Sequence, residues 1–480
     1  MTSHGNFIDG AWTPATHGVP NINPSDLDDV IGEFAAAQPA EVDAAIGAAR
    51  RAFPAWSASG PLKREAILRR TAAELRSRQE ELGTLLAREE GKTSAEGILE
   101  AARAASIFDF FAGECLRLAG ETLPSQRSGV EIAIEREPLG VVAIITPWNF
   151  PLAIPAWKIA PALCYGNTVI FKPAELVPAC AVALVDILAR AGLPDGVLNL
   201  IMGSGQVVGQ SILDDPRLDA VSFTGSTEIG RKIAVTCAQQ LRRVQLEMGG
   251  KNPLIVLDDA DLDHAVELAL NGAFFSTGQR CTASSRLIVT DGIHDQFVDA
   301  LKSRMAKLVV GHALAPTTEI GPVASAAQLA RNGDYIDLGT REGALLAFGG
   351  RRLECETKGY FFEPALFTHV SNDMRIAREE IFGPIAAVIR AKDYDDALML
   401  SNDTAFGLAA GICTRSLKHA AHFRRHANAG MVMVNLPTAA TEYHAPFGGK
   451  RASSLGPREQ GRYAAEFYTS LKTSYCFADI

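Results

Sequence analysis

The fold is decided by a stretch near the middle of the chain, Leu218-Asp219-Ala220-Val221-Ser222-Phe223-Thr224-Gly225-Ser226-Thr227-Glu228-Ile229-Gly230. Its apolar first half predicts a buried strand, Gly225 a tight turn, and the hydroxyl side chains that follow the start of a helix. A strand that leads through a short turn into a helix is the repeating unit of a parallel sheet. The free N–H groups of such a helix start, together with the Ser226 hydroxyl, can receive a pyrophosphate.

Similar units occur on both sides of this stretch. Short apolar runs that end in turns lie at 141–145, 168–171, 197–201 and 220–223, and a second series lies at 254–257, 286–289, 385–389 and 431–434. Their alternation with helix-like sequence predicts an α/β fold with two successive parallel-sheet domains. Residues 39 to about 120 carry apolar positions at helical spacing, which predicts a helical layer.

The composition is that of a globular protein. Of 480 residues, 47% are hydrophobic and 21% are charged, and no apolar run is long enough to span a membrane. The formal net charge of −9 lacks the basic footprint of a nucleic-acid-binding protein, so we expect neither nucleic acid nor a membrane as a partner. The first residues lack the basic and apolar regions of a secretory signal, which predicts a cytoplasmic protein.

The cysteines and histidines do not form a recognisable metal motif. The eight cysteines are scattered without a Cys-x-x-Cys pair, which argues against a zinc site and a disulfide framework. His422 and His426 are spaced i, i+4 on a predicted helix and could bind a metal. No acidic third ligand follows them, and neighbouring Arg424 and Arg425 favour a solvated basic face, so we expect no metal site.

Cys281 differs from the other cysteines in its setting, Gly278-Gln279-Arg280-Cys281. A thiol reacts as its thiolate, which is favoured by a nearby positive charge and by a turn that exposes the sulfur. Gly278 can supply the turn and Arg280 the charge. The setting therefore predicts a nucleophile.

Other polar residues follow the predicted strands, where ligands bind in an open parallel sheet. Asn149 lies in a proline-bracketed loop after the run at 141–145, and Lys172 and Glu175 follow the next run. The first could also be an ordinary turn and the second an exposed ion pair. The segment 203–209 misses the dinucleotide fingerprint G-x-G-x-x-G by one position.

Glu247 precedes a double glycine at the junction between the two series of runs. It could hold backbone N–H groups across that junction. It could equally be a general base that faces Cys281 across a cleft.

Seven motifs together resemble the aldehyde dehydrogenase family, in the order and at the spacing typical of it. They lie at 146–151, 172–175, 223–230, 247–251, 278–281, 379–384 and 446–449. The resemblance extends over nearly the whole chain and implies the aldehyde dehydrogenase fold.

The resemblance also implies a domain organisation. The NAD-binding domain would comprise 1–117 and 138–247, and the catalytic domain 248–450. A small antiparallel oligomerisation element would comprise 118–137 and 465–480. The exposed strand around 132–135 and a terminal strand at 467–477 would then be covered by a neighbouring subunit of a homodimer or homotetramer.

The activity that the resemblance implies is oxidation of an aldehyde to a carboxylic acid. Cys281 would attack the aldehyde carbon, and Asn149 with the Cys281 backbone N–H would hold the oxyanion of the thiohemiacetal. After hydride transfer, Glu247 would activate the water that hydrolyses the thioester. Glu247 argues against the CoA-acylating branch, and the complete set argues against a non-catalytic relative. We expect Lys172 to belong both to the catalytic residues and to the cofactor site.

The cofactor that the resemblance implies is NAD, with NADP also possible. Its site would consist of Thr146, Trp148, Lys172, Glu175, Gly205, Gly209, Phe223, Gly225, Ser226, Glu380 and Phe382. Glu175 favours NAD, because a carboxylate accepts hydrogen bonds from ribose hydroxyls and repels a 2′-phosphate.

The segments 278–286 and 436–461 are most similar to the branch that oxidises α-ketoglutaric semialdehyde (2,5-dioxopentanoate), which is therefore our expectation. Succinic semialdehyde, or a broad range of aliphatic and aromatic aldehydes, is the alternative. The arginines with which relatives hold succinic semialdehyde are absent, because Trp157 and Phe275 occupy their positions. Arg280 either binds the distal carboxylate of the substrate or braces its loop.

The remaining expected substrate residues are aromatic. They are Phe150, Trp157, Phe275 and Phe447, which would form an apolar tunnel.

Overall fold

The structure, a computed structural model, describes residues 2–15 and 17–477. Its strands are β1 (Ser3–His4), β2 (Phe7–Ile8), β3 (Ala11–Trp12), β4 (Gly18–Ile22), β5 (Val30–Ala35), β6 (Glu121–Pro124), β7 (Val130–Pro138), β8 (Val141–Ile145), β9 (Thr168–Lys172), β10 (Leu198–Leu200), β11 (Ala220–Thr224), β12 (Arg243–Glu247), β13 (Pro253–Val256), β14 (Arg286–Thr290), β15 (Leu345–Phe348), β16 (Ala365–Thr368), β17 (Ile385–Ala391), β18 (Ala409–Cys413), β19 (Met431–Val434), β20 (Ser454–Leu455) and β21 (Thr469–Phe477).

The α-helices are α1 (Pro39–Ser57), α2 (Pro61–Ser77), α3 (Gln79–Glu90), α4 (Ser94–Glu114), α5 (Ala153–Cys164), α6 (Pro178–Arg190), α7 (Gln210–Asp214), α8 (Thr227–Gln239), α9 (Leu262–Phe274), α10 (His294–Met305), α11 (Ala326–Arg341), α12 (Arg375–Arg378), α13 (Tyr394–Asn402), α14 (Leu417–His426) and α15 (Ala465–Tyr468). Short 3-10 or π-helical turns lie at Gly205–Gly209, Phe275–Gly278, Arg451–Ser453 and Arg462–Ala464.

The first large sheet has the strand order β20-β12-β11-β8-β9-β10-β2-β3. The strands from β12 to β10 are parallel, as the alternation of apolar runs and helices predicts. β8 and β11 are neighbours although β9 and β10 lie between them in sequence, so the strand order reverses there. Ligands bind beyond the carboxyl ends of the strands at such a reversal.

The second large sheet has the order β15-β16-β17-β14-β13-β18-β19. Its neighbouring strands are parallel except for β15, which runs antiparallel to β16. The two parallel sheets confirm the predicted α/β fold. β12, β16 and β18 lie in segments for which the sequence predicts no strand.

The two sheets meet end to end. The carboxyl ends of the first sheet face the amino ends of the second, because β12 ends at Glu247 and a short glycine-containing segment leads into β13 at Pro253. Across this boundary, which we name the seam, the Asn149 side chain after β8 donates from Nδ2 to the Gln279 carbonyl before β14, at 2.9 Å. Loops from both sheets therefore meet at the seam.

The residues predicted to form one helical layer are divided between the two faces of the first sheet: α2, α3 and α4 pack together on one face, and α1 packs on β8 to β10 in a separate core. α4 begins with a capping box: Thr93 Oγ1 accepts from the Glu96 N–H at 3.4 Å, and Glu96 Oε2 accepts from the Thr93 N–H at 3.1 Å. Its inner face carries buried Phe108 and Phe111 in the core of the first sheet. One side of α4 reaches the seam.

A smaller antiparallel sheet has the order β21-β7-β6, with β21 paired to β7 from Thr469–Pro138 to Phe477–Val130. The predicted exposed strand around 132–135 is β7. The predicted terminal strand begins later than position 467: Phe467 and Tyr468 end helix α15 instead, because both aromatic side chains are buried in the core of the first sheet. After Thr469, every residue of β21 is exposed.

Across the ranges 2–15 and 17–477, no helix combines the length and apolar character that crossing a membrane requires.

Candidate active site

Two cavities meet at Cys281, at the seam. The larger has a volume of about 500 Å³ and the smaller about 210 Å³. Among the predicted site residues, the larger is lined by Phe150, Trp157, Glu247, Arg280, Cys281 and Phe447. The smaller is lined by Trp148, Asn149, Gly225, Ser226, Cys281, Glu380 and Phe382. Cys281 is thus accessible from two sides to two different molecules.

The backbone before Cys281 has an uncommon conformation. Ser276, Thr277 and Gly278 have φ values of 50°, 54° and 62°, all in the left-handed region. Such a conformation is unfavourable for residues with a Cβ atom. A Cβ added to Gly278 would lie 2.2 Å from the Gly383 carbonyl oxygen, so only glycine fits there. The glycine that the sequence assigned to a turn is therefore required by both conformation and space.

Glu96 on α4 holds this left-handed turn in place. Its Oε1 accepts hydrogen bonds from the backbone N–H and the hydroxyl of Ser276, both at 2.8 Å. The same oxygen pairs with Arg280 Nη2 at 3.1 Å. Because the other oxygen of Glu96 caps α4 at Thr93, one carboxylate ties the helix start to the nucleophile loop.

The electrostatic setting of Cys281 disfavours the thiolate in the protein alone. Burial raises the pKa of the thiol to about 12, and the Glu380 and Glu247 carboxylates act in the same direction. The backbone N–H groups of Cys281 and Thr282 oppose this and lower the pKa. The guanidinium of Arg280, which the sequence suggested as the activating charge, is paired with Glu96 instead.

Glu247 ends β12 as a buried carboxylate with 2% exposure. Its Oε2 accepts from the Ser454 hydroxyl at 2.6 Å, and a Cβ on Gly448 would lie 2.7 Å from its Oε1. Burial and the neighbouring Glu459 carboxylate raise the pKa of Glu247 well above its ordinary value. Lys158 offsets part of this effect and is itself ion-paired with Glu459. A carboxylate that retains a proton to higher pH suits a general base.

The smaller cavity is bounded by a strand end, a helix start and two aromatic rings. Trp148 and Phe382 pack edge to face, with centroids 5.3 Å apart. Glu380 Oε1 accepts from the Gly250 N–H at 2.9 Å. The Ser226 side chain caps α8, accepting from the Ile229 N–H at 3.4 Å. These parts combine an anion-binding helix start with a carboxylate and an aromatic wall.

The other predicted cofactor residues continue this surface without lining the smaller cavity. The Thr146 N–H donates to the Lys172 carbonyl at 3.1 Å. Glu175 Oε1 accepts from the Gly205 N–H at 2.9 Å. Lys172 Nζ donates to the Pro173 carbonyl at 3.1 Å, and burial lowers the pKa of Lys172. Lys172 is not among the residues that line the two cavities at Cys281, and its catalytic role stays a prediction.

Two glycines of this surface are shaped by their neighbours. A Cβ on Gly225 would lie 2.5 Å from the Phe223 ring, so that ring packs directly under the turn. Gly209 ends a π-helical turn that begins at Gly205 and leads into α7. The segment differs from the dinucleotide fingerprint because its local structure is a π-helical turn.

The aromatic residues of the larger cavity are placed as predicted, except for one. The Trp157 and Phe447 rings lie 5.5 Å apart, and Trp157 Nε1 donates to Glu459 at 2.6 Å. Lys92 Nζ lies 3.9 Å from the centroid of the Phe150 ring. Phe275 is not among the residues that line this cavity; it follows the end of α9 and packs, partly buried, against the core of the second sheet. A substrate contact by Phe275 stays a prediction.

The contacts of Arg280 support one of the two roles that the sequence left open, the bracing of its loop. Its side chain lines the larger cavity, yet it is bonded to Glu96 and to the Ser276 hydroxyl at 2.9 Å. Only 12% of the side chain is exposed. The positive charge of Arg280 is therefore balanced by the Glu96 carboxylate.

The sequence did not single out the charged residues that helix α4 and the residues before it bring to this cavity: Lys92, Glu96, Glu100 and Arg103. Their spacing on an otherwise apolar helix is the signal that could have identified them. A cavity wall of this kind places charge next to an apolar tunnel.

In the part of the chain that the structure describes, no group of three or more His, Cys, Asp or Glu side chains could hold a metal ion. His422 contacts the Tyr394 hydroxyl at 2.7 Å through Nδ1.

Comparison with known proteins finds relatives that match nearly the whole chain, including the residues of the site. The model of the aldehyde dehydrogenase family matches residues 12–474. The alpha-ketoglutaric semialdehyde dehydrogenase of Bacillus subtilis is 42% identical over 98% of this chain and 97% of its own length. The NADP(+) succinate-semialdehyde dehydrogenase of Escherichia coli is 39% identical over 97% of this chain and 96% of its own.

Solved structures agree with the sequence relatives. The betaine aldehyde dehydrogenase of Staphylococcus aureus in complex with NAD+ superimposes with a TM-score of 0.96 at 35% identity, covering 99% of this chain and 95% of that chain.

The left-handed turn predicts a specific stability effect. Gly278→Ala adds a Cβ at positive φ and against the Gly383 carbonyl, so we expect the free energy of unfolding to fall by at least about 2 kcal/mol. Gly333→Ala is the matched control, because nothing lies within 4 Å of a Cβ there and the residue is inside α11. It should stabilise by about 0.5–1 kcal/mol. Urea denaturation midpoints of the two variants measure this, and equal midpoints would contradict it.

The raised pKa of Cys281 predicts how its alkylation depends on pH. Since the thiol stays protonated well above neutral pH, its reaction with iodoacetamide in the absence of ligands should accelerate about tenfold per pH unit from pH 7 to 9. Peptide mass spectrometry gives the rate, with the exposed Cys476 as a reference in the same digest. A rate for Cys281 that levels off below pH 9 would show that the thiolate is already formed.

Proposed function

The chain belongs to the aldehyde dehydrogenase family, and from this membership we propose that it oxidises α-ketoglutaric semialdehyde to α-ketoglutarate, with NAD as hydride acceptor. Oxidation of an aldehyde to a carboxylic acid is the activity of the family. The observation that carries the proposal is the position of Cys281 between two cavities, one with Glu247 and an apolar wall, the other with Asn149, Glu380 and Phe382.

The first step is attack of the Cys281 sulfur on the aldehyde carbon in the larger cavity. The thiol must lose its proton, and with a pKa of about 12 it needs a nearby acceptor. Glu247 lines the same cavity and has a raised pKa, so it can take that proton. A carbon–sulfur bond forms, and the carbonyl oxygen becomes an oxyanion.

Asn149 is the side chain we assign to that oxyanion. Its Nδ2 donates one hydrogen to the Gln279 carbonyl, which fixes the amide and leaves the second hydrogen for the substrate. The Cys281 backbone N–H, which already lowers the pKa of its own thiol, is the second donor. One preorganised donor of this kind lowers a barrier by about 3 to 4 kcal/mol.

The smaller cavity has a lining that suits the nicotinamide and pyrophosphate end of the cofactor. A pyrophosphate requires a helix start with free N–H groups, as Ser226 and α8 provide, and Trp148 with Phe382 forms an aromatic wall for a ring. Glu380 is anchored by the Gly250 N–H and is available to ribose hydroxyls. When bound, NAD accepts the hydride from the substrate carbon. Glu175 favours NAD over NADP, with some activity expected for NADP.

Glu247 completes the reaction on the Cys281 thioester. It first releases the Cys281 proton to solvent and then accepts a proton from water, the hydroxyl oxygen adds to the acyl carbon, and the carbon–sulfur bond breaks to release the acid and the thiolate. The Ser454 hydrogen bond orients the carboxylate for this step. A carboxylate at this position supports hydrolysis and not transfer to a thiol such as CoA.

The semialdehyde of α-ketoglutarate is supported by the relative named for it and by a cavity that combines aromatic and basic side chains. Succinic semialdehyde is the second candidate, favoured by the Escherichia coli relative. The two share a distal carboxylate and differ in length and in the keto group.

A substrate panel tests the proposal. With NAD, we expect kcat/KM for α-ketoglutaric semialdehyde to exceed that for pentanal about 10- to 100-fold. The reason is that the substrate carboxylate can form a charged hydrogen bond, which pentanal cannot form. Glu247→Gln should lower the steady rate of NADH formation about 10²- to 10⁴-fold without a burst, because it removes the acceptor of both the thiol proton and the water proton. Cys281→Ser is the control that lacks the thiol. A preference for succinic semialdehyde, or acceleration by CoA, would contradict the proposal.

We further propose a homodimer or homotetramer that covers β21, in a cytoplasm whose reducing conditions keep Cys281 as a thiol. Leu471, Tyr475 and Phe477 share one face of this strand and are exposed by 64%, 63% and 51%. An apolar edge of this kind supports pairing with a second subunit.

Charge on that face should weaken the oligomer. Leu471→Glu with Tyr475→Glu is expected to shift sedimentation velocity toward the monomer, because two buried carboxylates at an interface are unfavourable. Leu417→Glu is the matched control, since Leu417 is 87% exposed on α14. An unchanged sedimentation coefficient for the double variant would place the interface elsewhere.

A further inference from the structure

One basic residue of the larger cavity differs from the others in its charge balance. Lys92, Arg103 and Arg280 all line the cavity. Lys92 Nζ lies 2.7 Å from Glu100, and Arg280 lies 3.1 Å from Glu96. Arg103, among the residues from 2 to 15 and 17 to 477, has no carboxylate oxygen within ion-pair distance. It is the cavity cation whose charge has no close partner.

Neutral groups hold Arg103 in one orientation. Its Nη1 donates to the Thr441 carbonyl at 2.8 Å. Its Nη2 donates to the Thr441 hydroxyl at 3.1 Å and to Gln460 Oε1 at 3.4 Å. These bonds fix the plane of the guanidinium while leaving its charge uncompensated. The buried Nε makes no hydrogen bond.

The chemistry of a guanidinium determines what would complete this arrangement. An arginine stays protonated in proteins, and a partly buried charge is costly unless an opposite charge meets it. Glu100 and Glu442 act on Arg103 only through longer-range attraction. A carboxylate that enters the cavity would supply the missing partner, and arginine binds carboxylates more specifically than lysine does.

We propose that Arg103 on helix α4 is a specificity-determining residue that binds the carboxylate distal to the aldehyde, while the aldehyde carbon lies at Cys281. This rests on the proposed function, since it names the group that selects an acid semialdehyde. The helix positions explain the placement: Leu99, Ala102, Arg103 and Ser106 form the face of α4 that lines the cavity. Arg280 then stabilises the nucleophile loop through Glu96, and Arg103 selects the substrate.

Kinetics with matched substrates tests the assignment. Arg103→Met should raise KM for α-ketoglutaric semialdehyde about 10- to 100-fold with kcat within about threefold, and leave pentanal kinetics unchanged. Arg103→Lys retains the charge and should recover at least about threefold of the loss. Arg117→Met is the matched control, because Arg117 is a 65% exposed surface residue beyond the end of α4. An equal loss for pentanal, or no recovery by lysine, would overturn the proposal.

A binding experiment separates this proposal from the substrate assignment. Glutarate, a dicarboxylate that cannot be oxidised, should slow iodoacetamide alkylation of Cys281 at least about fivefold in the wild type and not in Arg103→Met. If the wild type prefers neutral aldehydes but glutarate protects only the protein that has Arg103, the substrate proposal is wrong and the assignment of Arg103 as the carboxylate-binding residue holds. If glutarate protects the wild type and Arg103→Met equally, or protects neither, Arg103 does not bind the carboxylate.

Discussion

The left-handed turn at Ser276 to Gly278 is the constraint on which the rest of the site depends. Two residues with side chains are held at positive φ, each at a cost of about 1 to 3 kcal/mol. The hydrogen bonds from Ser276 to Glu96 and from Thr277 Oγ1 to the Gly321 carbonyl offset this cost, at about 1 kcal/mol or more each. The turn directs the chain so that Cys281 faces both cavities. Because Glu96 also caps α4, the helix and the nucleophile loop have fixed relative positions.

The seam explains why the reactive groups share a weakly solvated environment. Glu247 comes from the carboxyl end of β12, whereas Cys281 and Glu380 precede the amino ends of β14 and β17. Burial therefore raises the pKa values of the thiol and the carboxyl together. Because burial raises the pKa of Glu247, an ionised Glu247 is a stronger base for the Cys281 proton than a solvent-exposed carboxylate would be.

The sequence predicts those parts of the fold and site that depend on local pattern. The buried runs of β8, β9 and β11 and the loops after them are recognisable because strand, turn and helix start are adjacent in the chain. The cavity wall formed by α4 is not recognisable from the sequence, because Glu96 and Ser276 are 180 residues apart and only the folded chain brings them into contact. The packing of Phe275, partly buried against the core of the second sheet, is likewise not evident from its sequence neighbours.

The charges of the larger cavity have a consequence for an anionic substrate. Lys92 with Glu100 and Arg280 with Glu96 are nearly neutral pairs, and burial favours the neutral form of Glu247. Arg103 is then the main uncompensated charge of the interior. A substrate carboxylate beside Arg103 balances that charge, whereas the cations that favour ionisation of Glu247 are Lys158 and Arg458. Binding of the substrate carboxylate and ionisation of the general base therefore depend on different cations, so Glu247 can be ionised while the substrate is bound.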